Sequence, residues 1–204
     1  KLSDLINYSI SLYKDQGFKF QNEKICEELS LFLNERLKFY MKEKEIRYDI
    51  IEASINSFSI DQASKMYSKA QALNKVITKD IGNDIIISYK RASNILENEL
   101  KNKNLDLSNT TDPGIFKNEY EKNLYKKIHE LRKYFTSINK DEDYQATLGN
   151  LANAKSTITE FFDNVIVNDD DQNIKKNRLE LLQMLCKTFD NYINFSNIES
   201  VKWI

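Results

Sequence analysis

Residues 161–182 read FFDNVIVNDDDQNIKKNRLELL. The stretch holds the end of one helical pattern, a polar corner and the start of another, so its reading decides how the chain folds. An apolar run gives way to Asn168–Asp171, and Ile174, Leu181, Leu182 and Leu185 then resume an i, i+3/i+4 spacing. Asp169, Asp170 or Asp171 suits the helix start, because a short carboxylate accepts hydrogen bonds from the free N–H groups of the first turn and complements the helix dipole. Arg178 follows Ile174 by four positions and lies on or beside the apolar stripe. A guanidinium there needs partners, since an unpaired buried charge is very costly. Asp163, one turn before the corner, is the expected bidentate partner, which gives a clasp between Asp163 and Arg178.

The same spacing runs outward through the whole chain and predicts about eight helices. They are expected near 3–14, 22–44, 47–57, 60–77, 80–99, 117–138, 142–167 and 171–193. The first places Leu5, Ile6, Ile10 and Tyr13 on one side and ends at Gly17. The second carries a long stripe through Ile25, Leu29, Phe32, Leu33, Leu37, Tyr40 and Met41. Asp61 suits the start of the fourth. Residues 101–116, with the single proline at Pro113, read as a loop and a place for mobility. No period-2 segment of useful length, no coiled-coil heptad run and no solenoid repeat occurs. With only 4 Gly and 1 Pro, the expected fold class is all-α, a helical bundle without a sheet. It divides into an N-terminal helical part, 1–78, and a bundle, 79–204.

The 204 residues suffice for one large domain or two small ones. A net charge of -1 excludes a protein that binds nucleic acid through overall charge, though 30 Lys and Arg leave room for a local basic face. No stretch reaches the length of a membrane span, and no signal peptide opens the chain. The first residue is not Met, and the chain reads as a piece of something longer.

Catalytic constellations are absent from the sequence. Cys26 and Cys186 stand alone and read as buried free thiols, not as metal ligands or a disulfide. The one histidine, His129, lies on a charged helix without a second histidine or a nucleophile nearby, and reads as a surface residue. No phosphate-binding glycine loop occurs. The acidic run 169–171 lacks the spaced ligands and glycine of a calcium loop, so no metal site is expected. A binding or interaction module is the expected class.

The opening stretch also resembles the C-terminal signature of the β subunit of bacterial heterotetrameric glycyl-tRNA synthetase. That pattern runs Phe-Phe-Asp-x-Val-x-Val, then acidic or small residues, then Asp-x-x-Leu-Arg-x-Asn-Arg-Leu-x-Leu-Leu. Its second half is met here by Asp171, Ile174, Lys175, Asn177, Arg178, Leu179, Leu181 and Leu182. RLKFYMKEKEIRYDIIEASI (36–55), SYKRASNIL (88–96) and NFSNIE (194–199) are similar to further segments of that family in the same order. Lys175 stands where the signature has Arg, which keeps the charge and loses the bidentate fork. The resemblance implies the last two hundred or so residues of a cytoplasmic β subunit, ending in a DALR-type anticodon-binding domain. It further implies tRNA-Gly and the α subunit as partners. The aminoacylation site, with its ATP and Mg, would lie on the α subunit, leaving no cofactor here.

On the fifth helix Ile81, Ile85, Tyr89, Ala92 and Leu96 are expected to face the core, and Lys90, Arg91 and Asn94 to share the opposite side. Two cations beside an amide suit an anticodon loop: cations neutralise phosphates, and Asn and Arg read or stack on splayed bases. Tyr89 and Tyr192 are candidate stacking groups, and Lys175, Lys176 and Arg178 are further tRNA-binding candidates. Two rivals stand beside this reading. A protein–protein scaffold predicts an exposed apolar or aromatic groove. The anticodon domain of another synthetase, such as an arginyl-type enzyme, predicts the same fold with another specificity.

Overall fold

The structure is a computed structural model and describes residues 1–19, 22–57, 59–102, 107–108, 110–137 and 143–199. Every regular element among them is helical: nine α-helices and three short 3-10 turns, and no strand. The all-α expectation holds. The chain falls into two compact units, Lys1–Asn74 and Lys75–Ile204.

The first unit holds α1 (Leu2–Asp15), α2 (Asn22–Glu43), α3 (Tyr48–Ile55), a 3-10 turn (Ile60–Gln62) and most of α4 (Ala63–Val76). Its core is small and sits where α2, α3 and α4 meet, around Met41, Ile50, Ile51, Met66 and Leu73. The corner between α2 and α3 passes through Glu45 at φ 56°, a left-handed turn. Asn74 clamps it: its Oδ1 accepts from the Arg47 amide, and its Nδ2 donates to the Glu45 carbonyl. Asp61 does not start α4. Ser59 caps the 3-10 turn, and Asp61 instead accepts from the Ser3 amide at 2.7 Å and the Ser3 hydroxyl at 2.6 Å, pinning the start of α1. The apolar stripes expected to be buried on α1 and α2 are largely not. Leu5, Tyr13, Leu29, Phe32 and Tyr40 are exposed, and Leu5, Ile6, Ile10, Tyr13, Ile25 and Leu29 border an open apolar groove. Periodicity reports an apolar face but not whether anything covers it.

The second unit is built around α9 (Gln172–Asp190), which is enclosed on nearly all sides. It packs against α5 (Asp80–Asn102) and α6 (Glu119–Ser137); α7 (Tyr144–Ala152) lies on α5, and α8 (Lys155–Asn164) on α6 and α5. Phe161, Phe189, Tyr192 and Phe195 form its aromatic centre, all fully buried. Asp171 caps α9 by accepting from the Asn173 and Ile174 amides, one of the three acidic residues expected to do so. The helix expected over 142–167 is two, broken at Asn153–Ala154. Leu148 and Leu151 are buried from α7, and Ile158 and Phe161 from α8. The first half of the stripe packs on α5 and the second on α6 as well, so the change of direction at Asn153–Ala154 gives the stripe a second neighbour. Past α8 the chain is extended, with Val165 and Val167 buried and Ile166 77% exposed.

Much of the loop expected over 101–116 is fastened. Glu180 accepts from the Ser108 amide and hydroxyl, and Asn177 exchanges two hydrogen bonds with the Asp112 backbone. Residues 103–106 and 109 lie outside the described residues, as do Trp203 and Ile204. Both cysteines are free thiols. Cys186 is buried, and that burial pushes its thiol up to about 12; Cys26 is only partly covered. No described helix is long and apolar enough to cross a membrane.

Candidate nucleic-acid interface

Helix α5 buries Ile85, Ile86, Tyr89, Ala92 and Leu96 and turns Arg91 and Asn94 to solvent. Ile81, expected in the core, is 43% exposed; it sits in the first turn, and Ile86 fills the interior. Arg91 lies over the Phe162 ring of α8, its guanidinium carbon 4.5 Å from the ring centroid, with Asp163 at 3.6 Å. Lys90 is half-buried and donates to the Ser196 carbonyl at 2.9 Å. The three sequence candidates therefore do share one surface, which also takes in α8 and the 3-10 turn Phe195–Asn197.

The expected stacking groups are not on it. Tyr89 and Tyr192 are both enclosed, and the Tyr89 hydroxyl donates to Asp190 at 3.3 Å. Burial, then the neighbouring Asp190 charge, raises the Tyr89 hydroxyl far above the usual tyrosine range. Burial also raises the Asp190 carboxyl, against the pull of the Phe195 amide and the Tyr89 hydroxyl. A tyrosine on a helical stripe reads as available or buried with equal ease from sequence, and here the packing of Phe189 and Phe195 against it decides.

The clasp expected between Asp163 and Arg178 is replaced by another. Asp163 is exposed and pairs with Arg91. Arg178 is buried: its Nε donates to Glu121 at 2.6 Å, and its Nη1 donates to Asp169 at 2.6 Å and to the Ile166 carbonyl at 2.8 Å. The chain doubles back at the corner, bringing Asp169 rather than Asp163 to the guanidinium. The Asp171 amide, with Arg178 adding to it, holds the Asp169 carboxyl below the usual range. Glu121 was not singled out from sequence. It is 1% exposed, and its second oxygen accepts from the Lys117 and Asn118 amides while Asn118 accepts from the Glu121 amide. Asn118-x-x-Glu121 is a capping-box spacing, and that was the legible signal.

Lys175 is also enclosed, with its Nζ 2.6 Å from Glu99. Lys175 and Arg178, expected to meet tRNA, thus have their charges neutralised within the protein. A charge near a stripe is drawn into it when a carboxylate waits on the facing helix, and no local pattern names that carboxylate. Lys176, between them, points outward and is about half exposed, 4.0 Å from Glu180. No cluster of metal-ligating side chains occurs among the described residues.

These features define a helical-bundle domain that presents its polar groups on open helix faces. The chain belongs to the DALR anticodon binding domain family, whose model matches residues 85–203, within the second unit. It is similar to the glycine–tRNA ligase beta subunit of Rickettsia africae, at 35% identity over 96% of this chain and 27% of that protein. The beta subunits of Rickettsia prowazekii and Rickettsia canadensis match at 34% each, over 96% and 97% of this chain and 27% and 28% of theirs. The chain spans little more than a quarter of the length of these relatives.

Proposed function

We propose that the chain is the tRNA-binding, C-terminal part of a glycine–tRNA ligase β subunit in the cytoplasm. Residues 79–204 engage the anticodon region of tRNA-Gly, and residues 1–78 are the helical part before it. The domain positions tRNA, while glycine, ATP and Mg are handled by the α subunit. The observation that carries this reading is the identity sustained across nearly the whole chain, together with the anticodon-binding family of its second unit. Within that unit, Lys90, Arg91 and Asn94 form the proposed reading surface and Lys176 a further phosphate contact. Arg91 is set in one orientation by Phe162 and Asp163, which lowers the entropy lost when a planar guanidinium stacks on or hydrogen-bonds a base. Lys175 and Arg178, paired inside the bundle with Glu99 and with Glu121 and Asp169, are assigned structural roles in the same unit.

The test is binding of this chain to tRNA-Gly, to tRNA-Gly with an altered anticodon and to an unrelated tRNA, at two salt concentrations. The native anticodon is expected to bind best, and Arg91→Ala or Asn94→Ala to reduce that preference by about 1–3 kcal/mol. Equal, weak and salt-erased binding of all three RNAs would overturn the reading.

A further inference from the structure

A second cationic surface lies on α6, away from the α5 candidates. Taken at about 100° per residue, Arg132, Tyr125, His129, Lys122, Lys133 and Lys126 fall within a sector of about 120°. That sector contains no aspartate or glutamate. Lys122, Lys126, His129 and Lys133 are exposed, and among the described residues no carboxylate lies within ion-pair distance of the three lysines; Glu130 borders the stripe, and its charge interacts with Lys126. This is unlike a solvated helix face, where signs mix and pair. Lys24 pairs with Glu28, Lys101 with Glu97 and, on the other flank of α6 itself, Lys127 with Glu130. In a protein of net charge -1, an acid-free stripe is a local departure from the composition.

Aromatic rings border the lysines. Tyr125 and His129 are in contact with centroids 4.3 Å apart, and the Phe116 ring lies 5.6 Å from Tyr125. Tyr125 and Phe116 are each partly open to solvent. Along the helix, Lys122, Lys126 and Lys133 are spaced by about 6 and 10 Å. Exposed cations in a row beside partly exposed rings form the arrangement that tracks a phosphodiester backbone and stacks an unpaired base.

We infer that this α6 stripe is a second RNA-binding surface, with Lys122, Lys126 and Lys133 contacting backbone phosphates and the Tyr125–His129 edge taking one unpaired base. For its ligand the inference rests on the tRNA-binding reading above. Its contacts are to phosphate and to the π-face of a base, so it adds affinity without reading sequence.

The test compares this chain with its K122Q/K126Q/K133Q variant, over a salt series, using tRNA-Gly, the altered-anticodon tRNA and a duplex DNA of equal length. Far-UV circular dichroism establishes that the exposed substitutions leave the fold intact. The variant is expected to bind both RNAs more weakly by the same factor, with the slope of log K against log salt smaller by about 2–3. The preference for the native anticodon stays unchanged. His129→Ala is expected to weaken RNA binding several-fold at unchanged slope, with duplex DNA insensitive to it. If the wild-type chain discriminates anticodons and the lysine variant keeps its affinity and slope, the stripe is not an RNA surface and the reading above survives. If the wild type binds all RNAs alike and the variant loses that binding, the stripe stands and the anticodon reading falls. Loss confined to duplex DNA, or retention of RNA binding with loss of an acidic protein partner, would also overturn the inference.

Discussion

Arg178 is the residue on which the second unit turns. It holds Glu121, Asp169 and the Ile166 carbonyl at once, from a site 5% exposed. Such an ion pair need not be more stable than an apolar replacement of the whole cluster. Removing only the arginine leaves Glu121 buried without its counter-ion. Arg178→Met is therefore expected to lower unfolding stability by about 3–5 kcal/mol, read as a shift in the urea midpoint. Arg178→Met with Glu121→Gln is expected to recover part of that loss. The amide oxygen still accepts from the Lys117 and Asn118 amides, and no buried charge remains at that position. If the double variant is the less stable, the cost lies in packing and not in charge.

Among the elements, α5 begins at a tight turn, with Gly82 against the Val76–Ile77 main chain. A Cβ on Gly82 would lie 2.3 Å from the Val76 carbonyl oxygen and 2.4 Å from the Ile77 Cα. Alanine has a better helix propensity by about 1 kcal/mol. Main-chain atoms cannot step aside as a flexible side chain can, and overpacking of this kind costs about 1–3 kcal/mol or more. Gly82→Ala is therefore expected to lower the melting temperature; a rise would show that the Val76–Ile77 main chain does not lie so close to Gly82. The elements also show what was legible. Helix existence could be read from the spacing of apolar residues, and the α9 start from the acidic run Asp169–Asp171, because both signals are local. The break at Asn153–Ala154 could not, since it depends on which neighbour each half of one stripe meets. Lys90, Arg91 and Asn94 share a surface because α5 alone sets their relative directions. The partners of Lys175 and Arg178 come from Glu99 and Glu121 on other helices, and a single-helix pattern carries no information about them.

Over the whole molecule, the two units differ in how they are finished. Of the sixteen large apolar side chains exposed among the described residues, eleven lie between Leu5 and Tyr48, so the second unit is the better sealed. Buried and hydrogen-bonded carboxyls also pull the pH profile in opposite directions. The Ser3 hydroxyl and amide hold Asp61 below the usual range, as the Asp171 amide does Asp169. Their stabilisation is present above the unfolded pKa of about 3.9 and is lost as pH falls through the folded values. Asp190 has the reverse sign. Its folded pKa is raised, so the native state keeps the proton longer, and stability falls as pH rises from about 3.9 through the folded value. Asp190→Asn mimics the protonated form. Its stability relative to wild type is expected to increase from pH 3 to pH 7 in urea unfolding, and a difference independent of pH would contradict this assignment.

The Arg178–Glu121 contact spans 57 positions of chain. Its closure has to gather in α7 and α8, and the entropy of closing so long a loop is lost before the contact returns anything. In kinetic terms the clasp is therefore expected to act as a late latch, adding little to the speed at which the bundle assembles and setting how long the assembled bundle stays shut.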